Sequence, residues 1–252
     1  MIAKAIFPSR NRSPSWASGM NRRTLLHRDD GLAATRTRSR SLADLELEVI
    51  GRFLSTEGRV LDIGCGRGRG SVYFALQGLD PVGIEIDLPT LAVARQLSHE
   101  NNASRDFLCA DGRSLCFRDQ SLDYVVLLGS VLSEKHRFWM VKADRLAVIA
   151  EALRVTKAGG TVVNCFVHRY WNLKSFLAFL RNYWVWFAEK VDGKRTELGD
   201  YVENIGGTPV RFHAFTVREA RSLYPKENVR LTVWKGNHGP FTDWFFILAR
   251  KA

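Results

Sequence analysis

The stretch VLDIGCGRGRG, residues 60–70, places four glycines directly after a short apolar run. This arrangement is typical of a buried strand that ends in a turn close to a ligand. A P-loop needs Gly-Lys followed by Ser or Thr, and the stretch contains no lysine. The dinucleotide pattern G-x-G-x-x-G also fails, because its third glycine position falls on Arg69 or Ser71. What fits is G-x-G-x-G, with Asp62 two residues before the first glycine.

Two acids at predicted strand ends indicate the chemistry of the ligand. A second apolar strand, within DPVGIEID (residues 80–87), ends in Glu85, 21 residues after Gly64. In a strand–turn–helix–strand unit, an acid at this distance lies beside the first turn and accepts both hydroxyls of a ribose. The other acid, Asp62, disfavours a pyrophosphate and suits a positively charged group. Together they predict an adenosine-like ribose joined to a cationic, phosphate-free group, a description that S-adenosylmethionine meets.

Four segments in order resemble the class I S-adenosylmethionine-dependent methyltransferases, the small-molecule type in particular: VLDIGCGRGRG, VGIEIDLPTLAVAR, FLCADGRSLCFRDQSLDYVVLLGSVL and IAEALRVTKAGGTVV. The resemblance covers about residues 42–167 and resumes weakly in the last forty residues. It implies an α/β fold, a Rossmann-like three-layer sandwich. Its seven-stranded sheet is mostly parallel, with an antiparallel C-terminal strand. It also implies methyl transfer from S-adenosylmethionine, with S-adenosylhomocysteine (SAH) as the product.

The resemblance assigns cofactor contacts to residues at predicted strand ends: Asp62, Gly64, Cys65, Gly66, Gly68, Glu85, Ile86, Asp111, Gly112, Leu128 and Gly129. Asp62 would orient the methionine amino group, and Glu85 would hold the ribose hydroxyls. Ile86 would press on one adenine face. Asp111 would accept from the adenine amino group beside the Gly112 backbone. Leu128 and Gly129 would line the methionine side. No metal is expected, because the four cysteines lack C-x-x-C pairing and are interpreted as small buried side chains.

The hydrophobic pattern predicts the order of the elements. SLADLELEVIGRFLS (41–55) is an amphipathic helix with Ser41 as its N-cap. The pattern then predicts strand 58–63, helix 68–77, strand 81–85, helix 88–99, strand 106–110, strand 122–128, helix 142–155 and strand 160–166. Such alternation implies a parallel sheet covered on both faces. VRLTVWKG and TDWFFILARKA predict two antiparallel closing strands, and GDYVENIGGTPVRFHAF is expected to be a loop.

The alternation of strands and helices stops at residues 168–212, which predict a helical aromatic cap insertion. HRYWNLKSFLAFLRNYWVWFAEK carries apolar residues on more than one side of a helix, so it needs a second covering besides the core. Substrate-binding side chains are expected here: Tyr170, Trp171, Phe176 and Trp184. A general base is needed only for a protonated nucleophile. The first candidate is His168, just past the fifth strand, ahead of Tyr170, His136 and His213.

Charge divides the chain into a tail and a domain. The net charge is +11, of which residues 1–40 carry +7. This basic segment is expected to be a disordered tail, and residues 41–252 a methyltransferase domain. A plain unstructured leader, a transit peptide and a nucleic-acid arm are all compatible with the tail. No run of about 18 apolar residues predicts a membrane span. A cytoplasmic monomer or homodimer is expected, with organelle targeting by the tail left open.

Three functions remain in competition. The first is methyl transfer to an O, N or C atom of a small-molecule acceptor. The second is an RNA (tRNA) methyltransferase, since RFHAFTVREARSLY…DWFFILARK faintly resembles the ending of tRNA wobble-uridine modifying enzymes. Against it, residues 41–252 carry a net charge of only +4, which is low for tracking RNA phosphates. The third is a non-catalytic cofactor-binding partner subunit.

Overall fold

A computed structural model describes residues 37–103, 106–129, 131–133, 140–169, 183, 186–187, 197–205, 208–235 and 244–252. The five helices named for these residues are α1 (Thr37–Phe53), α2 (Arg69–Leu76), α3 (Leu88–Glu100), α4 (Lys142–Val155) and α5 (Val217–Arg221). The strands are β1 (Arg59–Ile63), β2 (Asp80–Glu85), β3 (Asp106–Cys109), β4 (Leu122–Leu127), β5 (Thr156–Val167), β6 (Asp200–Ile205), β7 (Thr208–His213), β8 (Val229–Trp234) and β9 (Trp244–Lys251).

Seven strands form one sheet in the order β3-β2-β1-β4-β5-β9-β8. The strands β1 to β5 are parallel to one another, and β9 runs antiparallel to both of its neighbours, β5 and β8. The chain moves outward from β1 to β3 and then returns to place β4 beside β1. This reversal leaves a crevice at the carboxyl ends of β1 and β4, where ligands bind in open α/β sheets.

Helices cover both faces of this sheet, as its unbroken apolar strands require. On one face, α4 and α5 pack through Val148, Ile149 and Ala220. On the other face, α1 packs through Val49 and Ile50, and α2 contributes Tyr73 and Phe74. A smaller cluster joins Leu91 and Ala94 of α3 to Cys65 and Phe107. The predicted three-layer fold with an antiparallel C-terminal strand is confirmed.

Several local predictions were wrong. Helix α1 begins at Thr37, so Ser41 is not its N-cap and the expected tail boundary at residue 40 falls inside the helix. Strand β5 begins at Thr156 rather than residue 160, with a register irregularity opposite β4. The expected loop near residues 199–215 contains the antiparallel pair β6–β7, so this end of the predicted helical cap is a hairpin. Cys109 and Cys116 are exposed rather than buried.

None of the helices in the described ranges is both long and apolar enough to cross a membrane.

Candidate functional site

The glycine turn after β1 is held in a left-handed backbone conformation. Gly64, Gly66 and Gly68 have φ angles of 67°, 55° and 81°, which residues with a side chain rarely adopt. A Cβ atom on Gly64 would lie 2.8 Å from Val131, and one on Gly68 would lie 2.9 Å from the Ala94 side chain. A Cβ on Gly66 would meet no atom within 4 Å. The turn is therefore packed at both ends and open at Gly66.

Asp62 is buried beside this turn. The residue is only 2% exposed, and its Oδ2 accepts a hydrogen bond of 2.8 Å from the Ser71 hydroxyl. A Cβ atom on Gly70 would lie 2.8 Å from the same Oδ2, so only glycine leaves room for the carboxylate there. Burial raises the pKa of Asp62 from its ordinary 3.8 to about 7, although the Ser71 hydrogen bond opposes this. Its position agrees with the predicted site, while its contact with an amino group stays a prediction.

Glu85 connects the end of β2 to the glycine turn. Its Oε2 accepts from the Gly66 amide at 3.1 Å, and its Oε1 accepts from the amides of Ile86 and Asp87 at 2.8 and 3.0 Å. A carboxylate can accept about four hydrogen bonds, so acceptor capacity remains for a ligand. Ile86 is 36% exposed. The structure thus brings the predicted ribose acceptor and the glycine turn into direct contact.

Cys65 has a structural place within the turn. Its amide donates to the Ile84 carbonyl at 2.9 Å, and its own carbonyl accepts from the Gly68 amide at 2.9 Å. Burial raises the pKa of the Cys65 thiol above its ordinary value, with the nearby Asp62 and Glu85 carboxylates adding to the effect. The thiol is consequently neutral and a poor nucleophile.

Asp111 and Gly112 lie after β3, where the adenine end of the ligand is expected. Asp111 forms a salt bridge with Arg113 at 2.6 Å, and the same guanidinium reaches Asp144 of α4 at 2.9 Å. Hydrogen bonds from Arg113 hold the pKa of Asp111 below its ordinary value. A Cβ atom on Gly112 would lie 3.0 Å from Ile63, so this backbone packs against the end of β1. The role of Asp111 toward adenine stays a prediction.

The end of β4 supplies the other wall of the crevice. Leu128 is half-buried and Gly129 is exposed, with φ of 64°, and a Cβ atom on Gly129 would meet nothing within 4 Å. The Gly129 amide donates to Oε1 of Glu46 at 3.0 Å. Sequence reasoning missed Glu46. The sequence did contain a sign of its burial. Glu46 is three and four residues before Val49 and Ile50, so it lies on the buried face of α1.

The candidate base His168 lies directly after β5, the strand that pairs with β4. It forms an isolated parallel bridge with Phe215, and its ring meets the edge of Phe245 at a centroid distance of 5.6 Å. The predicted substrate residues lie outside the described residues: Tyr170, Trp171, Phe176 and Trp184. His136 also lies outside them. The structure therefore leaves the substrate side to prediction.

His213 is not an accessible base, contrary to its place among the weaker candidates. It is fully buried, and its Nδ1 and Nε2 lie 2.6 Å from Asp200 and 2.9 Å from Glu219. Burial alone would raise the pKa of Glu219, but the hydrogen bond and charge of His213 and the charge of Arg169 lower it. Both ring nitrogens face carboxylates, so the ring fixes the β6–β7 hairpin to α5.

The residues around His213 include the group of potential metal ligands found within the described ranges. Ligand atoms of Glu197, Asp200 and His213 lie within 4.8 Å of one another. Arg145, which is 2% exposed, donates to Glu197 at 2.7 Å and to the Leu132 carbonyl at 3.0 Å. Arg145 pairs with Glu197 and His213 pairs with Asp200, so an ion-pair network accounts for the grouping.

Comparisons with known proteins agree with this architecture. Residues 61–164 match the family model described as a methyltransferase domain. The chain is 34% identical over 105 residues to a demethylmenaquinone methyltransferase of Renibacterium salmoninarum, a match that covers 42% of this chain and 39% of that protein. The chain thus spans about two fifths of the length of that relative.

Two solved structures show the same fold. A SAM-dependent methyltransferase from Methanosarcina mazei is 24% identical, with 81% of this chain and 96% of that chain covered and a TM-score of 0.62. A magnesium protoporphyrin IX methyltransferase from Synechocystis with bound SAH is 14% identical, with 85% and 83% covered and a TM-score of 0.57. Residues 61–164 of this chain are therefore similar to a methyltransferase domain, and the chain shares its fold with these solved methyltransferase structures.

Proposed function

We propose that this chain transfers a methyl group from S-adenosylmethionine to a small-molecule acceptor. The observation that carries the proposal is the pairing of Glu85 with the open glycine at Gly66. A carboxylate at the end of β2 contacts a turn that has no side chain in the way of a ligand. Residues 60–70 contain no lysine for a phosphate. Carboxylate acceptors suit the hydroxyl groups of a ribose and the ammonium group of an amino acid.

The residues present fit that cofactor. Gly66 and Gly129 both border open space, so the two strand ends can admit a ligand between them. Glu85 would hold the ribose hydroxyls, and Asp62 would act electrostatically on the methionine end. Asp111 and the Gly112 backbone would meet the adenine. The family match supports S-adenosylmethionine as the cofactor.

When bound, S-adenosylmethionine supplies a methyl group that its sulfonium already activates for displacement. The protein's contribution is mainly positional: the strand ends hold the reacting groups in line, which can supply about 7–11 kcal/mol. For a hydroxyl nucleophile, His168 at the end of β5 would take the proton, a contribution of about 10²–10⁴ in rate. For such an acceptor, His168→Gln should lower the rate of methyl transfer by about the same factor.

Two observations support a small molecule as the acceptor. One relative carries the name demethylmenaquinone methyltransferase, and demethylmenaquinone is a small molecule. In addition, the net charge of +4 on residues 41–252 is low for a surface that tracks nucleic-acid phosphates.

The test follows a labelled methyl group. S-Adenosylmethionine with a radioactive methyl is incubated with the chain and a cell extract separated into low-molecular-mass and RNA fractions. Label in the low-molecular-mass fraction, lost in Glu85→Ala and retained in the exposed control Glu57→Ala, supports the proposal. Label in RNA would overturn the acceptor class, and absence of transfer to every fraction would overturn the activity.

A further inference from the structure

Three charged side chains from three elements meet beside the glycine turn. Glu46 of α1, which is 4% exposed, accepts from Arg69 Nη2 at 2.6 Å through one oxygen and from the Gly129 amide through the other. Arg69 is the first residue of α2. Asp62 lies close enough to both for their charges to act on its carboxyl group. The group joins α1, the glycine turn and the end of β4.

When Glu46 and Asp62 are both ionised, the group carries two negative charges and only the one positive charge of Arg69. Arg69 pairs with Glu46, and Asp62 accepts hydrogen bonds from the hydroxyl and the backbone amide of Ser71, both of them neutral. Burial raises the pKa of Glu46 above its ordinary value, although Arg69 and the Gly129 amide oppose this, and the pKa of Asp62 is raised as well. A buried carboxyl group either keeps its proton or pairs with a cation, so a cationic group that enters the strand-end crevice would gain a partner here.

We propose that Glu46, Asp62 and Arg69 form a charge-matched cradle for the amino-acid half of the cofactor. The two acids act on its α-ammonium group, and Arg69 pairs with its α-carboxylate. The Arg69 side chain is 41% exposed, so its guanidinium is accessible to a ligand while Glu46 holds it. This inference rests on the proposed function and adds residues that the strand-end motifs do not include.

The cradle also gives α1 a role in binding. Glu46 lies outside the matched segment 61–164, on a helix that packs through Leu45, Val49 and Ile50. Those apolar contacts fix the helix, and Glu46 then places a carboxylate against the Gly129 amide. Cofactor affinity should therefore depend on a side chain that precedes β1.

The test compares three adenosine ligands by titration calorimetry. SAH carries both amino-acid charges, 5′-methylthioadenosine carries neither, and decarboxylated S-adenosylmethionine keeps only the ammonium group next to its sulfonium. Glu46→Gln and Arg69→Gln are measured against the exposed controls Glu57→Gln and Arg118→Gln. Both test variants should weaken SAH by about tenfold or more and leave 5′-methylthioadenosine unchanged, because a hydrogen bond to a charged group is lost.

The decarboxylated ligand separates the two halves of the cradle. Glu46→Gln should weaken it, whereas Arg69→Gln should not. Equal losses for all three ligands would show that the side chains only support the fold, and unchanged SAH affinity would also overturn the cradle. If Glu46→Gln does not fold, the contrast between ligands in Arg69→Gln decides the question. Failure of the wild-type chain to bind any of the three would instead overturn the proposed function.

Discussion

Replacing Asp62 by asparagine should change how the stability of the cofactor-free protein depends on pH. The pKa of Asp62 is raised from 3.8 to about 7, chiefly by burial. The folded state therefore binds this proton more tightly than the unfolded chain. Stability from this group is fully present below about pH 4 and is lost as the pH rises toward about 7.

The size of the effect follows from the shift. A rise of about 3 pKa units corresponds to about 4 kcal/mol over the whole titration. Between pH 5 and pH 8 this group alone should remove about 3 kcal/mol of folding free energy. An asparagine side chain cannot ionise, so Asp62→Asn should gain about that much relative to the wild type between the two pH values.

Urea denaturation of both proteins at pH 5, 6, 7 and 8 measures this difference directly. Asp144→Asn is the matched control, because the pKa of Asp144 is lowered by the hydrogen bond from the Val141 amide. Its contribution should be constant over the same range, since it titrates below pH 5. If the free-energy difference between wild type and Asp62→Asn stayed constant from pH 5 to pH 8, the argument from burial would be refuted.

Other consequences concern the ion network, the turn and the thiols. His213→Leu should destabilise the chain by about 3–5 kcal/mol in urea, because it leaves the buried Asp200 carboxylate without this partner and removes one of the two partners of Glu219; a loss below about 1 kcal/mol would contradict the network. Gly68→Ala, at φ of 81°, should lower stability by about 1–3 kcal/mol, and an unchanged melting temperature would show that the turn is not constrained. Ellman's reagent should label Cys109 and Cys116 rapidly in the native chain and all four thiols in urea; rapid labelling of four native thiols would show that the other two are not buried.

The fold could be predicted because its inner strands are largely buried on both faces and its helices alternate with strands. α4 extends over 142–155, as the spacing of its apolar residues indicates. The boundaries at β2 and α3 differ by one residue from the predicted ones. Periodicity determines these elements because burial of an apolar face dominates their stability.

The hairpin β6–β7 could not be predicted from the periodicity of apolar residues. Its strands flank the two glycines of residues 206–207, a spacing typical of a two-residue hairpin turn. The expectation of a loop did not take this turn signal into account. Its position then depends on the buried contacts of His213 and Arg169 with Glu219, which are distant in the sequence and have no local pattern.

The candidate site was also predictable only in part. Glycines and strand-end acids are recognisable because turn geometry and ligand chemistry restrict those positions to few residue types. Glu46 was missed because its function depends on a tertiary contact with Gly129, 83 residues away. A charged residue within an apolar helical stripe was the only local sign of it.

The most direct test of the central claim is which adenosine-containing ligand the purified chain binds. Titration calorimetry with S-adenosylmethionine, NAD and ATP should show saturable binding of S-adenosylmethionine alone, and Glu85→Ala should weaken it by about tenfold or more. Binding of NAD or ATP without binding of S-adenosylmethionine would contradict the account, as would an unchanged dissociation constant in Glu85→Ala.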